Sequence, residues 1–165
     1  MNVFIVVAVS ADGFIALNDK HISLDWTSKE DKRKFVELTK RAGVMIMGRK
    51  TFDTIGKALP GRKTYVYTSG EIHAEGVEST DSEPKELIQK LSEEGYSEIA
   101  VIGGQTIFDL FLKDDAIDEI YLTIEPVLFG QGLTIGKSLA DKRLKLLEHE
   151  KLNDDTLLLH YKVIK

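Results

Sequence analysis

Twice in this chain a short, almost wholly apolar run closes on glycine and passes at once into a helical pattern. The first is Val44-Met45-Ile46-Met47-Gly48 before Arg49-Lys50-Thr51, the second Ile99-Ala100-Val101-Ile102-Gly103-Gly104 before Gln105-Thr106-Ile107. A strand that is apolar on both faces must be covered on both. Strands that alternate with helices achieve this as a mostly parallel sheet between helical layers. The alternation runs through most of the chain, with strands near 2–9, 44–47, 63–68 and 98–102 and helices near 28–42, 49–56, 82–94 and 105–113. Segments 117–125, 143–151 and 155–164 then read as strands, the last two joined by Asn153-Asp154-Asp155 in a hairpin-like connection. The expected architecture is one α/β domain over residues 1–165, a mostly parallel sheet with helices on both faces and an antiparallel C-terminal edge. Two loops, 17–27 with the only tryptophan and 126–137 with Gly130, Gly132 and Gly136, have the composition of surface connections or of flaps that close over a ligand.

Several functions are excluded or disfavoured at once. The chain has no cysteine, so disulfides, thiolate metal sites, iron–sulfur clusters and cysteine nucleophiles are out, and a reducing cytoplasmic setting is expected. His21, His73, His149 and His160 are scattered without metal-site spacing, so no metal is expected. The net charge of −5 argues against a nucleic-acid surface. The apolar run at 3–9 has no basic residue before it and Asp12 soon after, which fits a buried first strand better than a signal peptide or a membrane span. Either a monomer or a homodimer is compatible with the sequence; the apolar Leu157-Leu158-Leu159 suits the sheet interior or a subunit contact.

Helix 28–42, with its N-cap at Thr27 or Ser28, lays Phe35, Leu38 and Ala42 along one stripe, and Asp31 falls on that apolar stripe one turn before Phe35. Two readings stand. Asp31 can complete a capping box with Ser28, or its carboxylate can sit at the mouth of an apolar pocket and pair with adjacent N–H donors of a planar ligand such as a 2-amino-4-oxopterin edge. The two strand-to-helix turns suit anions, since free backbone N–H groups and the helix dipole converge there, with Arg49 and Lys50 adding charge at the first. Paired glycines at 103–104 also serve any tight turn, and with no GxGxxG in the chain a Rossmann dehydrogenase is disfavoured.

Residues 44–69, VMIMGRKTFDTIGKALPGRKTYVYTS, resemble the same region of dihydrofolate reductases: strand, GR-x-T, I-G, L-P-G-R-K and second strand in order. IAVIGGQTIFDLFL at 99–112 resembles that family's later glycine-pair turn and helix, and Ile120-Tyr121-Leu122-Thr123 its following strand. The spacing Trp26-x4-Asp31-x3-Phe35 is similar to its substrate site. The resemblance implies an eight-stranded sheet and reduction of 7,8-dihydrofolate with NADPH as cofactor. It implies that Asp31 anchors the pterin with help from Thr123, that Trp26, Phe35, Val6, Ile55 and Ile102 shape the pocket, and that Arg62 pairs with the α-carboxylate of the folate glutamate. Without the resemblance Arg62 reads as a solvated turn arginine. For the cofactor it implies Gly48, Arg49, Lys50, Thr68 and Ser69 at the adenosine phosphates. Thr51, Gly103, Gly104, Gln105 and Thr106 fall at the pyrophosphate, Ala8 and Ile15 at the nicotinamide, and a cis peptide at Gly103-Gly104.

Some stretches depart from that pattern. Ser10-Ala11-Asp12-Gly13-Phe14-Ile15-Ala16 and Glu125-Pro126-Val127-Leu128-Phe129-Gly130-Gln131-Gly132 look more like the pyrimidine reductases of riboflavin synthesis, in the same superfamily, and Thr106 stands where many dihydrofolate reductases place a basic residue. Against that branch, IGKALPGR occupies the place of its D-P-x-L-T stretch. The alternatives are therefore a reductase of a ribosylaminopyrimidine phosphate, or an inactive member that binds a nucleotide or a partner protein. The first expectation remains dihydrofolate reduction.

Overall fold

The apolar runs pair into one eight-stranded sheet in the order β4-β3-β2-β5-β1-β6-β8-β7. The strands are β1 (Asn2–Ser10), β2 (Val44–Gly48), β3 (Lys63–Tyr67), β4 (Val77–Thr80), β5 (Glu98–Gly103), β6 (Glu119–Glu125), β7 (Arg143–Lys151) and β8 (Leu157–Ile164). The helices are α1 (Lys29–Ala42), α2 (Arg49–Ile55), α3 (Pro84–Glu93) and α4 (Gln105–Lys113), with a short 3-10 helix at Ser23–Asp25. This computed structural model describes residues 1–137, 139 and 141–165. From β4 to β6 all neighbours are parallel, whereas β8 runs antiparallel to β6 and β7 to β8.

Side-chain alternation explains the layers. Val3, Ile5, Val44, Ile46, Ile99 and Val101 face α3 and α4, meeting Leu87, Leu91, Ile107, Phe108 and Phe111. The intervening Phe4 and Ala100 meet Leu38 and Ala42 of α1, and Met45 and Met47 meet Phe52 of α2. Helices thus cover both faces, two on each. No helix among the described residues is long and apolar enough to cross a membrane.

Two boundaries differ from expectation, and one alternative is settled. β4, VEST, was not delimited by the sequence because only Val77 of its four residues is buried, so an outer edge strand carries no apolar run. The helix expected at 82–94 starts at Pro84, which suits a first helical position with no N–H to satisfy. Leu157-Leu158-Leu159 lies inside the sheet, since β8 is flanked by β6 and β7, and β7 takes the exposed edge.

The segment 12–16 that follows β1 meets loop 126–137 across the end of the sheet. Ile15 N–H donates to Leu133 O and Leu133 N–H to Ala16 O, each at 2.8 Å, and the Asp12 carboxylate accepts from Phe129 N–H at 3.1 Å and Gly130 N–H at 2.7 Å. Gly132, at φ +149°, leaves no room for a Cβ, which would lie 2.1 Å from Ala16 O. Gly132→Ala should therefore break this bridge at a cost of ~1–3 kcal/mol, roughly 3–10 °C in Tm for a domain of this size. A melting curve unchanged to within a degree would mean that the loops are not joined in solution.

Candidate active site

At the carboxyl ends of β1, β2 and β5 the chain opens a cleft of about 1140 Å³. The end of a parallel sheet is a place where α/β folds hold ligands, because strands stop there and helices begin. α2 starts directly after Gly48 and α4 after Gly104, and neither N-cap supplies a side-chain acceptor to the first turn. Those first-turn N–H groups are then open to an anion.

The glycines serve different needs. Gly48 has φ −83°, which any residue adopts, so no special turn conformation requires it there. What it provides is space: a Cβ would come within 3.1 Å of Ile107 Cγ1. Gly103 has φ +126°, and the Gly103–Gly104 peptide is cis. The Thr51 hydroxyl lies against this turn, 3.4 Å from where a Gly104 Cβ would be.

Of the residues singled out from the sequence, Val6, Ala8, Ile15, Asp31, Phe35, Gly48, Arg49, Lys50, Thr51, Ile55, Arg62, Ile102, Gly103, Gly104, Gln105 and Thr106 all line this one cleft. Four do not. Thr68 and Ser69 lie just beyond β3, where a Cβ on Gly70 would be 3.7 Å from Thr68 Oγ1 and 3.9 Å from Arg49 Nη1, so they belong to the same rim. Thr123 is buried in β6, behind Asp31. Trp26 lines a separate recess of about 440 Å³ together with Glu125, Pro126 and the turn 153–156. Its ring packs edge-on against Phe129 at 5.0 Å and stacks with His21 at 6.2 Å, so it reaches the cleft through His21 and does not form its wall.

The capping-box reading of Asp31 is half right. Ser28 is the N-cap, and its Oγ accepts from Asp31 N–H at 3.1 Å. The reciprocal bond is not made by Asp31: Ser28 N–H and Oγ both donate to Glu125 Oε1, each at 2.8 Å. A buried glutamate from β6 therefore completes the cap, and the Asp31 carboxylate turns to the cleft. Burial pushes the Asp31 carboxyl up to about 6 from an ordinary 3.8, the Thr123 hydroxyl works against the rise as a hydrogen-bond donor, and the Glu125 charge adds to it.

Arg62 is 8% exposed, not solvated as a lone turn arginine would be. Its Nε donates to Pro60 O at 3.1 Å and Nη1 to Thr39 Oγ1 at 2.8 Å, which fixes the guanidinium against α1, and burial lowers its pKa. It makes no ion pair among the described residues. A buried guanidinium without an acidic partner, at the wall of a cleft, is a ready site for a carboxylate or phosphate. The cations at the start of α2 behave differently: Arg49 Nε bonds Asp53 at 2.9 Å and Lys50 Nζ bonds Asp19 at 2.7 Å, both exposed. They do not converge on one point here as the sequence suggested, because each has found a nearer carboxylate.

Sequence reasoning missed Glu125. The two-residue period puts Thr123 and Glu125 on one face of β6, but only the folded structure shows that this face meets α1.

The dihydrofolate reductase family profile matches residues 2–158. Among sequence relatives, the uncharacterized protein YwjB of Bacillus subtilis is 28% identical over 165 residues, covering 94% of each chain. Among solved structures, a putative riboflavin biosynthesis protein from Shewanella sp. PV-4 superposes with TM-score 0.84 at 23% identity, covering all of both chains. The dihydrofolate reductase of Enterococcus faecalis, complexed with NADP(H) and RAB-propyl, superposes with TM-score 0.77 at 21% identity, covering 99% of this chain and 97% of its own. With the family profile spanning nearly its whole length, this chain belongs to the dihydrofolate reductase family.

Proposed function

We propose that this chain is an NADPH-dependent oxidoreductase that reduces 7,8-dihydrofolate to tetrahydrofolate. The observation that carries the reading is Asp31: a half-buried carboxyl on an apolar wall, freed from helix capping and facing the cleft, with Phe35, Val6 and Ile102 lining the same cleft. A carboxylate there matches the paired N–H donors of a pterin edge in a two-bond geometry, and a dry wall strengthens the pair. Arg62 supplies the matching group for the glutamate α-carboxylate.

The residues present also fit a dinucleotide cofactor. Two uncapped helix starts on adjacent strands, the Thr51 hydroxyl against the Gly103–Gly104 turn, and Arg49 beside Thr68 form a donor set suited to phosphates. Gly48, Lys50, Ser69, Gln105 and Thr106 extend that set, while Ala8 and Ile15 offer small apolar surface to a nicotinamide. NADPH held there would supply a hydride to the substrate. Asp31 orients the ring and holds a proton in the neutral-to-acid range, which favours protonation at N5. Thr123 steadies the Asp31 carboxylate from behind, and Trp26 packs with Phe129 behind His21 on the loop side.

One observation favours a second substrate. The two segments that look like pyrimidine reductases, 10–16 and 125–132, form one physical unit through Asp12 and the Gly132 bridge. In that reading Arg62 takes the phosphate of a ribosylaminopyrimidine. Loss of the nicotinamide absorbance on mixing NADPH with dihydrofolate, and not with the pyrimidine, is the expected result. Oxidation with the pyrimidine alone transfers the protein to the second reading, and inertness toward both despite demonstrated NADPH binding overturns each.

A further inference from the structure

Glu125 is 2% exposed and has no cationic partner among the described residues. Its Oε1 accepts two hydrogen bonds from Ser28 and its Oε2 accepts one from Thr156 Oγ1 at 3.2 Å. Burying a carboxylate at the end of a β-strand costs several kcal/mol unless its lone pairs are met, and here three donors meet them. A residue that only packed would not need this arrangement. Its position gives a reason: it lies two residues beyond Thr123 on the strand face that meets α1, beside Asp31.

Resting on the reading of Asp31 as the substrate anchor, we propose that Glu125 is a positioning residue for Asp31. By taking the Ser28 N–H it leaves the Asp31 carboxylate free to face the cleft, and its own buried carboxylate stands beside that of Asp31. The mechanism is local. Were Asp31 to complete its own capping box, its carboxylate would fold back over the helix start and away from the ligand. With Glu125 supplying that bond from a neighbouring strand, Asp31 keeps the N-cap contact through its backbone only. The negative charge of Glu125 then disfavours ionisation of Asp31, as like charges do in paired-carboxylate sites.

Other charged groups near the pair do not supply this effect. Lys32, on the next helix position, acts in the opposite sense and has its Nζ bonded to Leu24 O at 2.7 Å. Glu30 is held by Asn153 Nδ2 at 3.2 Å. Asp154 and Asp155 line the recess on the far side of Glu125, in contact with solvent, and His21 lines the cleft from the loop.

The test is the titration of the Asp31 carboxyl by carbon-13 NMR in ligand-free protein, its signal assigned by its loss in Asp31→Asn. Glu125→Gln keeps an acceptor for Ser28 and an amide for Thr156, so the fold is expected to persist. The Asp31 midpoint should fall by about half a unit to one unit in that variant and return toward the wild-type value in Glu125→Asp. A midpoint that stays or rises in Glu125→Gln overturns the proposal. If Glu125→Gln does not fold, hydrogen exchange at the Ser28 amide in Asp31→Asn decides. Protection within about threefold of wild type supports Glu125 as its acceptor, and protection lost by tenfold or more assigns the bond to Asp31. Because both readouts use the substrate-free protein, failure of the dihydrofolate assay alongside a shifted Asp31 midpoint defeats the substrate assignment and leaves the Glu125–Asp31 coupling standing.

Discussion

Replacing Asp31 by asparagine lowers turnover at neutral pH by about a hundredfold or more while NADPH affinity changes by less than about threefold, because Asp31 lies on α1 and the proposed phosphate donors lie on α2 and α4. Asparagine keeps the size and one acceptor oxygen but cannot carry the charge that pairs with a pterin edge, nor hold and release a proton. The same substitution makes the protein more stable above neutrality. A carboxyl raised from 3.8 to about 6 on folding is held more tightly to its proton in the folded state, so its ionisation opposes folding. The penalty is absent below about pH 3.8, grows between there and 6, and is full above 6. It amounts to roughly 2–3 kcal/mol at 1.36 kcal/mol per unit. Asp31→Asn should therefore melt several degrees above the wild type at pH 8, with the difference vanishing near pH 3.5. Turnover against pH together with melting at those two pH values checks both halves. Wild-type turnover in the variant would remove Asp31 from the chemistry, and equal melting at pH 8 would mean that its carboxyl is not buried.

Arg62→Ala raises KM for dihydrofolate by roughly thirtyfold to a hundredfold, the loss of a charge-assisted two-bond pair worth about 2–3 kcal/mol. The effect belongs in KM, since the contact is remote from the reacting carbon and acts equally in the ground and transition states. A dihydropterin without the glutamate tail separates the contact from a general injury: its KM should be the same in both proteins. Arg62→Lys should recover little, because an ammonium cannot make the parallel pair. The fold should tolerate the change, as Thr39 Oγ1 keeps its bond to Phe35 O at 2.7 Å and no acidic partner is stranded. Equal loss with both substrates would reassign Arg62 to structure alone.

Much of this fold was legible because its central strands are apolar on both faces and its helices amphipathic, so the period of the pattern named each element. One outer element was less legible. β4 buries one residue, and its pairing is a property of the sheet rather than of its own side chains, whereas β7 was read at 143–151 although it buries none. The two glycine turns were legible from motif spacing, and Gly48 and Gly103 mark strand ends that lie side by side only after folding. Contacts between elements distant in the chain were not readable. The partner of Ser28 lies 97 residues away in Glu125, and that of Lys50 lies 31 residues back in Asp19. No local spacing can announce such pairs, and a lone turn arginine gives no sign that Thr39 and Pro60 will bury it.

The place of β1 in the sheet bears on how the chain must be made. Of these eight strands β1 is made before the others, yet it sits between β5 and β6, pairing with residues 98–101 on one side and 119–125 on the other. Its apolar run, VFIVVAV, therefore waits for about a hundred further residues before either edge is covered, at a synthesis rate of roughly 5–20 residues per second. During those seconds it is a seven-residue segment of high β-propensity without charge, the kind that pairs with other chains. A chain released before residue 98 has nothing to pair with β1 on its β5 side and none of β6, so truncated products should aggregate where the full chain stays dispersed.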